Sequence, residues 1–91
     1  MIQENAETIA LQALVFLVKN EDLLNQFLIS SGLTYGDLQA HFQEPELLGG
    51  VLDAILADDA ILLAFCSMNS LSPETLMMAR RMLPGATEEM D

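Results

Sequence analysis

PELLGGVLDAILADDAILLAFCSMNSLSPETLMMAR, residues 45–80, decides the fold because it repeats the hydrophobic pattern of residues 7–42, ETIALQALVFLVKNEDLLNQFLISSGLTYGDLQAHF. The two stretches align without a gap at an offset of 38 residues (45 against 7). The identical pairs are Leu14 and Leu52, Leu24 and Leu62, Phe27 and Phe65, Leu33 and Leu71, and Leu38 and Leu76. Since these side chains are apolar, the repeat predicts two copies of one helical unit packed on each other. The shared positions carry no information about chemistry.

Five residues favour helix starts, namely Asn20, Thr34, Pro45, Asp58 and Ser72. Asn20 aligns with Asp58 and Thr34 with Ser72 at the offset of 38. The segments that they begin predict helices at about 6–19, 21–30, 35–42, 45–57, 59–68 and 73–83. Asp37 is placed to complete a capping box with Thr34, and Gly32 can take the left-handed conformation that ends a helix. No alternating apolar run predicts a strand, so we expect an all-α fold, a compact bundle of six short helices in two pseudo-repeated three-helix units.

The sequence predicts one domain with a short segment at each end. We expect a flexible N-terminal arm at 1–5, one helical domain at 6–85 and a disordered acidic tail at 86–91. Pro84-Gly85 is expected to stop the last helix. Inside the fourth helix, Gly49-Gly50 weakens helix formation by about 1 kcal/mol per glycine relative to alanine. We expect these glycines to allow close packing against a neighbouring helix.

Composition points to a surface that is both apolar and acidic. Hydrophobic residues make up 52% of the chain, which is on the high side for a small globular domain and predicts an exposed apolar surface. The net charge is −11, but most acids stand near helix starts, where they complement the helix dipole. Capping and solubility are therefore the first interpretation. The alternative is an acidic regulator that binds a basic protein as a nucleic-acid mimic, which requires carboxylates clustered on one face.

Several classes of protein are excluded or disfavoured. No stretch without charge, residues 60–73 included, reaches the roughly 20 apolar residues of a membrane span. Glu4 and Glu7 precede the apolar run 9–18, where a secretory signal would carry positive charge. We therefore expect a cytoplasmic protein that does not bind membranes. Cys66 and His41 are the only residues of their types, so no Cys/His zinc site is expected within one chain, and no cofactor.

A helix-turn-helix pattern lies in the middle of the chain. Gly32-Leu33-Thr34 and the following segment 35–42 resemble the turn and recognition helix of tetracycline-repressor-type regulators. However, no Lys or Arg occurs from Asn20 to Ala79. DNA binding depends on cations that neutralise phosphates, so the missing cations argue against a helix-turn-helix DNA-binding protein. We expect no nucleic-acid partner.

A set of short motifs covers nearly the whole chain. The motifs are Glu7-Thr8-Ile9-Ala10-Leu11-Gln12-Ala13-Leu14, Gly32-Leu33, Val51-Leu52-Asp53, Leu62-Leu63-Ala64-Phe65, Ser72-Pro73-Glu74, Ala79-Arg80 and Leu83-Pro84-Gly85. Together they resemble a family of small bacterial proteins known only as a domain of unknown function. The resemblance implies a small all-helical protein with no assigned activity, substrate or cofactor.

The last helix is the best candidate for an interface. Met77, Met78 and Met82 lie on several sides of it, and Arg80 and Arg81 could form the rim of an exposed patch. Methionine suits adaptable binding surfaces, although core methionines that fill gaps are the competing interpretation. We therefore favour a non-enzymatic protein-interaction module that forms a homodimer or binds a protein partner through these five residues.

No residue pattern predicts catalysis. His41 has no readable nucleophile partner and is interpreted as a surface or packing residue, whereas Cys66 beside Phe65 is interpreted as a buried small hydrophobe. Tyr35 and Phe42 are expected to pack in turns. The one acid away from a helix start within residues 6–85, Asp53, is expected to be solvated.

Overall fold

Six helices succeed one another along the chain. The computed structural model describes residues 3–83, with α1 at Gln3–Val18, α2 at Glu21–Ser31, α3 at Tyr35–His41, α4 at Pro45–Leu56, α5 at Asp59–Asn69 and α6 at Pro73–Arg81. Within that range no residue forms a β-strand. The prediction of an all-α bundle of six short helices is therefore confirmed.

Side-chain caps set three of the helix starts. Thr34 and Asp37 form the predicted capping box, because the Asp37 amide donates to Thr34 Oγ1 and the Thr34 amide donates to Asp37 Oδ2, each at 3.0 Å. These bonds from Thr34 hold the pKa of the Asp37 carboxyl below its ordinary value. Asp58 Oδ1 accepts from the amides of the next helix at 2.8 and 3.2 Å, and Ser72 Oγ accepts from the Thr75 amide at 3.2 Å.

Asn20 differs from its predicted role. It occupies the N-cap position of α2 with an extended backbone, but its side chain makes no cap bond there. Instead Asn20 Nδ2 donates to the Phe16 carbonyl at 2.8 Å, and Asn69 Nδ2 donates to the Phe65 carbonyl in the same way at 3.0 Å. The last carbonyls of a helix lack partners within it, so these two side-chain amides pair with carbonyls near the ends of α1 and α5.

Some helix bounds of the two halves correspond, but the predicted repeat is not confirmed, because the halves pack differently. The bounds of α2, shifted by 38 residues, coincide with those of α5 (21 to 59 and 31 to 69). Gly32 at φ 75° and Ser70 at φ 55° both take the left-handed conformation after these helices. However, α6 packs on α1, α4 and α5, whereas α3 makes no comparable contact with any helix. The two halves are therefore packed differently, and a duplication stays a prediction.

The core is built around α1 and α4, which make the most extensive contact of any helix pair. No polar or charged residue is buried among those the structure describes. The largest of the fully buried side chains are Phe65, Leu48, Leu52, Ile55, Leu76, Leu83 and Val51. Phe65 meets Phe16 edge to face, with ring centroids 5.6 Å apart and planes at 72°. The aromatic pair joins α5 to α1.

The ends of the chain are described only in part. Helix α1 begins at Gln3, so residues 3–5 are helical and the helix starts three residues earlier than the predicted start at 6. Residues 1–5 contain neither proline nor glycine, so the sequence has no signal that would delay the helix start to residue 6. Residues 1–2 and the predicted tail at 86–91 lie outside the described range, as does the Pro84-Gly85 stop. Helix α6 itself ends at Arg81, two residues earlier than predicted.

Gly50 does not make the close approach expected of it. A Cβ atom added at Gly50 would find no neighbouring heavy atom within 4 Å. The substitution Gly50→Ala is therefore expected to raise the free energy of unfolding by about 0.5–1 kcal/mol, because alanine restricts the unfolded chain and favours the helix. Thermal unfolding followed by circular dichroism measures the change as an increase in Tm.

Gly32 supplies the matched control for Gly50. Its φ of +75° is a conformation that alanine adopts only with strain, so Gly32→Ala is expected to lower Tm although the added methyl group also meets nothing within 4 Å. If Gly50→Ala lowers Tm as well, the conclusion that α4 has room at this position is wrong.

Candidate functional site

Helix α6 carries apolar side chains on two opposite faces. Leu76 and Ala79 of α6 are buried in the core, as is Leu83 just after the helix. Met77 remains 45% exposed, Met78 48% and Met82 39%. The helix therefore contributes fully to the core and still presents methionines to solvent, so gap-filling in the core does not account for them.

The exposed side chains of α6 form a defined stripe. Glu74, Met77, Met78 and Arg81 are all exposed and follow the spacing i, i+3, i+4, i+7, which places them on one side of a helix. Met82 lies beside this stripe. We call the four residues Glu74, Met77, Met78 and Arg81 the outer α6 face. It has an acid at its start, two methionines at its centre and a base at its end.

Arg80 is not part of the outer α6 face. Its Nε lies 2.6 Å from Asp53 Oδ1, its Nη2 lies 3.1 Å from Asp53 Oδ2, and its Nη1 donates to the Leu83 carbonyl at 3.2 Å. The Arg80 side chain is only 11% exposed, whereas that of Asp53 is 59% exposed. The predicted rim position of Arg80 is therefore corrected: this arginine ties α6 to α4, and Asp53 is its ion-pair partner.

A groove between α1 and α3 escaped the sequence interpretation. Its volume is about 330 Å³, and it is lined by Leu14, Val18, Tyr35, Leu38, Gln39 and Phe42. Tyr35 and Phe42 were expected to pack in turns, but both are about half-exposed at the sides of this groove. Their spacing with Leu38 was the available signal, since positions i, i+3 and i+7 share one helix face.

The residues with potential reactivity do not converge. His41 is exposed, with Nδ1 2.5 Å from Glu44 Oε2, as expected for a surface residue. Cys66 is buried as predicted, and burial raises the pKa of its thiol. Between residues 3 and 83 no group of three or more His, Cys, Asp and Glu side chains is arranged to hold a metal ion.

The largest of the described depressions lies between α2 and α4. Its volume is about 410 Å³, and neither His41 nor Cys66 lines it. Glu46 and Asp53 provide its charged lining. Asp53 is already engaged by Arg80 across the α4–α6 contact. The candidate acid–base residue His41 and the candidate nucleophile Cys66 therefore do not act in this depression.

Acidic residues occupy the first turns of five helices, as predicted. They are Glu21 and Asp22 in α2, Asp37 in α3, Glu46 in α4, Asp59 in α5 and Glu74 in α6. In these positions the carboxylates complement the helix dipoles. The would-be recognition helix α3 contains Asp37 and neither Lys nor Arg. None of the helices between residues 3 and 83 is both long and apolar enough to cross a bilayer.

Comparison with other proteins supports the resemblance and adds no activity. No curated protein and no solved structure matches the chain. A family model described as protein of unknown function (DUF3572) matches residues 3–86, which includes all six helices. The chain therefore belongs to the DUF3572 family of proteins of unknown function.

Proposed function

We propose that this chain is a non-enzymatic protein-interaction module that binds its partner through the outer α6 face. One observation carries the proposal: Met77 and Met78 stay about half-exposed on a helix whose other face is already buried in the core. A helix that has satisfied its own domain usually presents polar side chains to solvent. Two adjacent methionines at the centre of the exposed face favour a binding surface.

Methionine fits this role for a physical reason. Its side chain is unbranched and polarizable, so it adapts to partner surfaces of different shape and suits a contact that forms and separates. Met82 enlarges the apolar area at one side of the face, and Arg81 provides a charged edge. The arrangement of an apolar centre with charged ends is typical of protein interfaces.

The absence of catalysis is part of the proposal. It is supported by the exposed His41, which has Glu44 as its partner, and by the buried thiol of Cys66. We also propose a cytoplasmic location. Its support is that the single cysteine is a buried free thiol, which is compatible with a reducing compartment.

An acidic regulator of a basic protein is the second candidate. Its support is the net charge of −11, which would attract a cationic partner over long range. The carboxylates of the first helical turns already serve the helix ends, so this candidate comes second. The two functions differ in salt dependence: binding through an apolar face survives 0.5 M NaCl, whereas binding through net charge is lost.

The double variant Met77→Ser/Met78→Ser tests the proposed function. It is expected to weaken binding at least tenfold, because two central apolar side chains of the interface are replaced by small polar ones. Binding is measured in two ways: self-association by sedimentation equilibrium, and partner retention by quantitative comparison of proteins captured with wild-type and variant chains. Any captured protein is then purified and titrated against both chains.

Met68→Ser is the matched control. Met68 lies on α5 and is 70% exposed, so it is a methionine even more accessible than Met77 and Met78 and lies outside the outer α6 face. Its substitution is expected to leave binding unchanged, and both variants are expected to change the free energy of unfolding by no more than about 0.5 kcal/mol. The proposal fails if no self-association or captured partner distinguishes the α6 double variant from the Met68 variant.

A further inference from the structure

We infer that the outer α6 face pairs with the same face of a second copy of this chain, the two helices running antiparallel about a twofold axis between Met77 and Met78. The inference rests on the proposed function and names its partner. It follows from the order of the side chains on the face, which reads acid, methionine, methionine, base. A twofold interface must be complementary to itself.

The charges of the face are symmetric about its centre. Glu74 and Arg81 each lie about 5 Å along the helix from the midpoint between the two methionines, since the helix rises about 1.5 Å per residue. In an antiparallel pair, Glu74 of each copy therefore faces Arg81 of the other. In a parallel pair Glu74 would face Glu74 and Arg81 would face Arg81. The face is thus self-complementary in one orientation only.

The centre of the pair is apolar. Around the twofold axis, Met77 of one copy meets Met78 of the other, and these are the most exposed large hydrophobic side chains of α6. Helices that pack through such side chains lie about 8–10 Å apart. Leu76 and Ala79 remain buried on the opposite side of α6, so pairing requires no change in the fold of either copy.

Charge also decides against a cationic partner for this surface. The outer α6 face contains a base, Arg81, and this positive charge would repel a cationic partner. The groove between α1 and α3 has no charged residue in its lining and so offers no such complementarity. The outer α6 face differs from both the groove and the α2–α4 depression in carrying an acid and a base on either side of an apolar centre.

The pair is expected to be weak and to depend on salt in an unusual direction. One nine-residue helix from each copy buries less than the roughly 1,200 Å² of a standard interface, so the dissociation constant is expected to be about micromolar or weaker. Each copy carries a net charge of −11, and the mutual repulsion outweighs two exposed ion pairs. Added NaCl therefore strengthens the dimer.

Charge reversal tests the pairing. Glu74→Lys and Arg81→Glu each place like charges opposite one another at both ends of the interface, so each is expected to raise the dissociation constant at least tenfold. The double variant restores opposite charges and is expected to return within about threefold of the wild type. Sedimentation equilibrium at 150 mM NaCl measures all four proteins, and circular dichroism checks that each is folded.

The single variants separate this pairing from general charge repulsion. Glu74→Lys makes the chain less acidic, so non-specific association would tighten, whereas the antiparallel pair weakens. A tighter or unchanged Glu74→Lys dimer, or a double variant as weak as the singles, overturns the inference.

Cross-linking gives a second, geometric readout. Met78→Cys lies beside the proposed twofold axis, so a short bismaleimide is expected to join two copies in high yield. Met68→Cys on α5 stands at a more exposed position than Met78 and is still expected to give little dimer. Wild-type protein reports the background from the buried Cys66. A strictly monomeric chain with no Met78→Cys cross-link overturns the inference. If the Met77→Ser/Met78→Ser variant then loses a different protein partner, the proposed function stands without it.

Discussion

Phe65→Ala is expected to lower the free energy of unfolding by about 3–5 kcal/mol, the largest effect of any single change considered. Phe65 has no exposed surface, and its ring contacts Phe16 edge to face across α5 and α1. Replacing it removes buried apolar area and leaves a cavity that the packed helices cannot fill. Urea unfolding at 25 °C, followed by circular dichroism, measures the change.

The size of this effect matters because small domains have little stability to lose. A chain of 91 residues is expected to have a free energy of unfolding of about 5–14 kcal/mol. If the wild-type stability lies at the lower end of that range, the variant keeps only about 0–2 kcal/mol and is then expected to be partly unfolded at 37 °C. Leu63→Ala is the control, since Leu63 is on the same helix but exposed, and its expected cost is about 0.5 kcal/mol or less. Equal effects at the two positions would show that α5 does not pack as described.

Asp53→Ala is expected to lower the free energy of unfolding by about 1–3 kcal/mol. The substitution removes two charged hydrogen bonds from an Arg80 side chain that is only 11% exposed. The cost should lie toward the lower end of that range, because Asp53 itself is 59% exposed and water screens the pair. Thermal and urea unfolding of the variant measure it.

A double-mutant cycle isolates the Asp53–Arg80 pair. Arg80→Met keeps an apolar side chain at the position while removing the charge, and the double variant removes both partners. If the ion pair holds α6 against α4, the double variant is expected to be more stable than the sum of the single effects predicts. Additive effects, or an Asp53→Ala variant within about 0.5 kcal/mol of wild type, would contradict this role.

The helix starts could be predicted because their determinants are local. Thr34, Asp58 and Ser72 each bond to backbone amides two or three residues further on, and Pro45 fixes its own φ. Asn20 shows the limit of such reasoning. It stands between two helices, and an amide side chain can donate to the carbonyls behind it or accept from the amides ahead. Sequence alone does not decide between these two uses.

The candidate site was predictable in part. The exposed methionines of α6 follow from having more apolar residues than one helix face can bury. The Asp53–Arg80 pair could not be foreseen, because its members are 27 residues apart on different helices and neither has a local motif. The spacing of Tyr35, Leu38 and Phe42 indicates that they share one face. It does not give the distance between α3 and α1, and that distance determines whether a groove forms.

Tyr35 gives the groove between α1 and α3 an optical label. The chain has one tyrosine and no tryptophan. Fluorescence excited at a wavelength that tyrosine absorbs and phenylalanine does not therefore comes from the Tyr35 ring alone. That ring is a wall of the groove and is about half in contact with water. A molecule settling there displaces solvent from the fluorophore, and its arrival can be followed without attaching a dye.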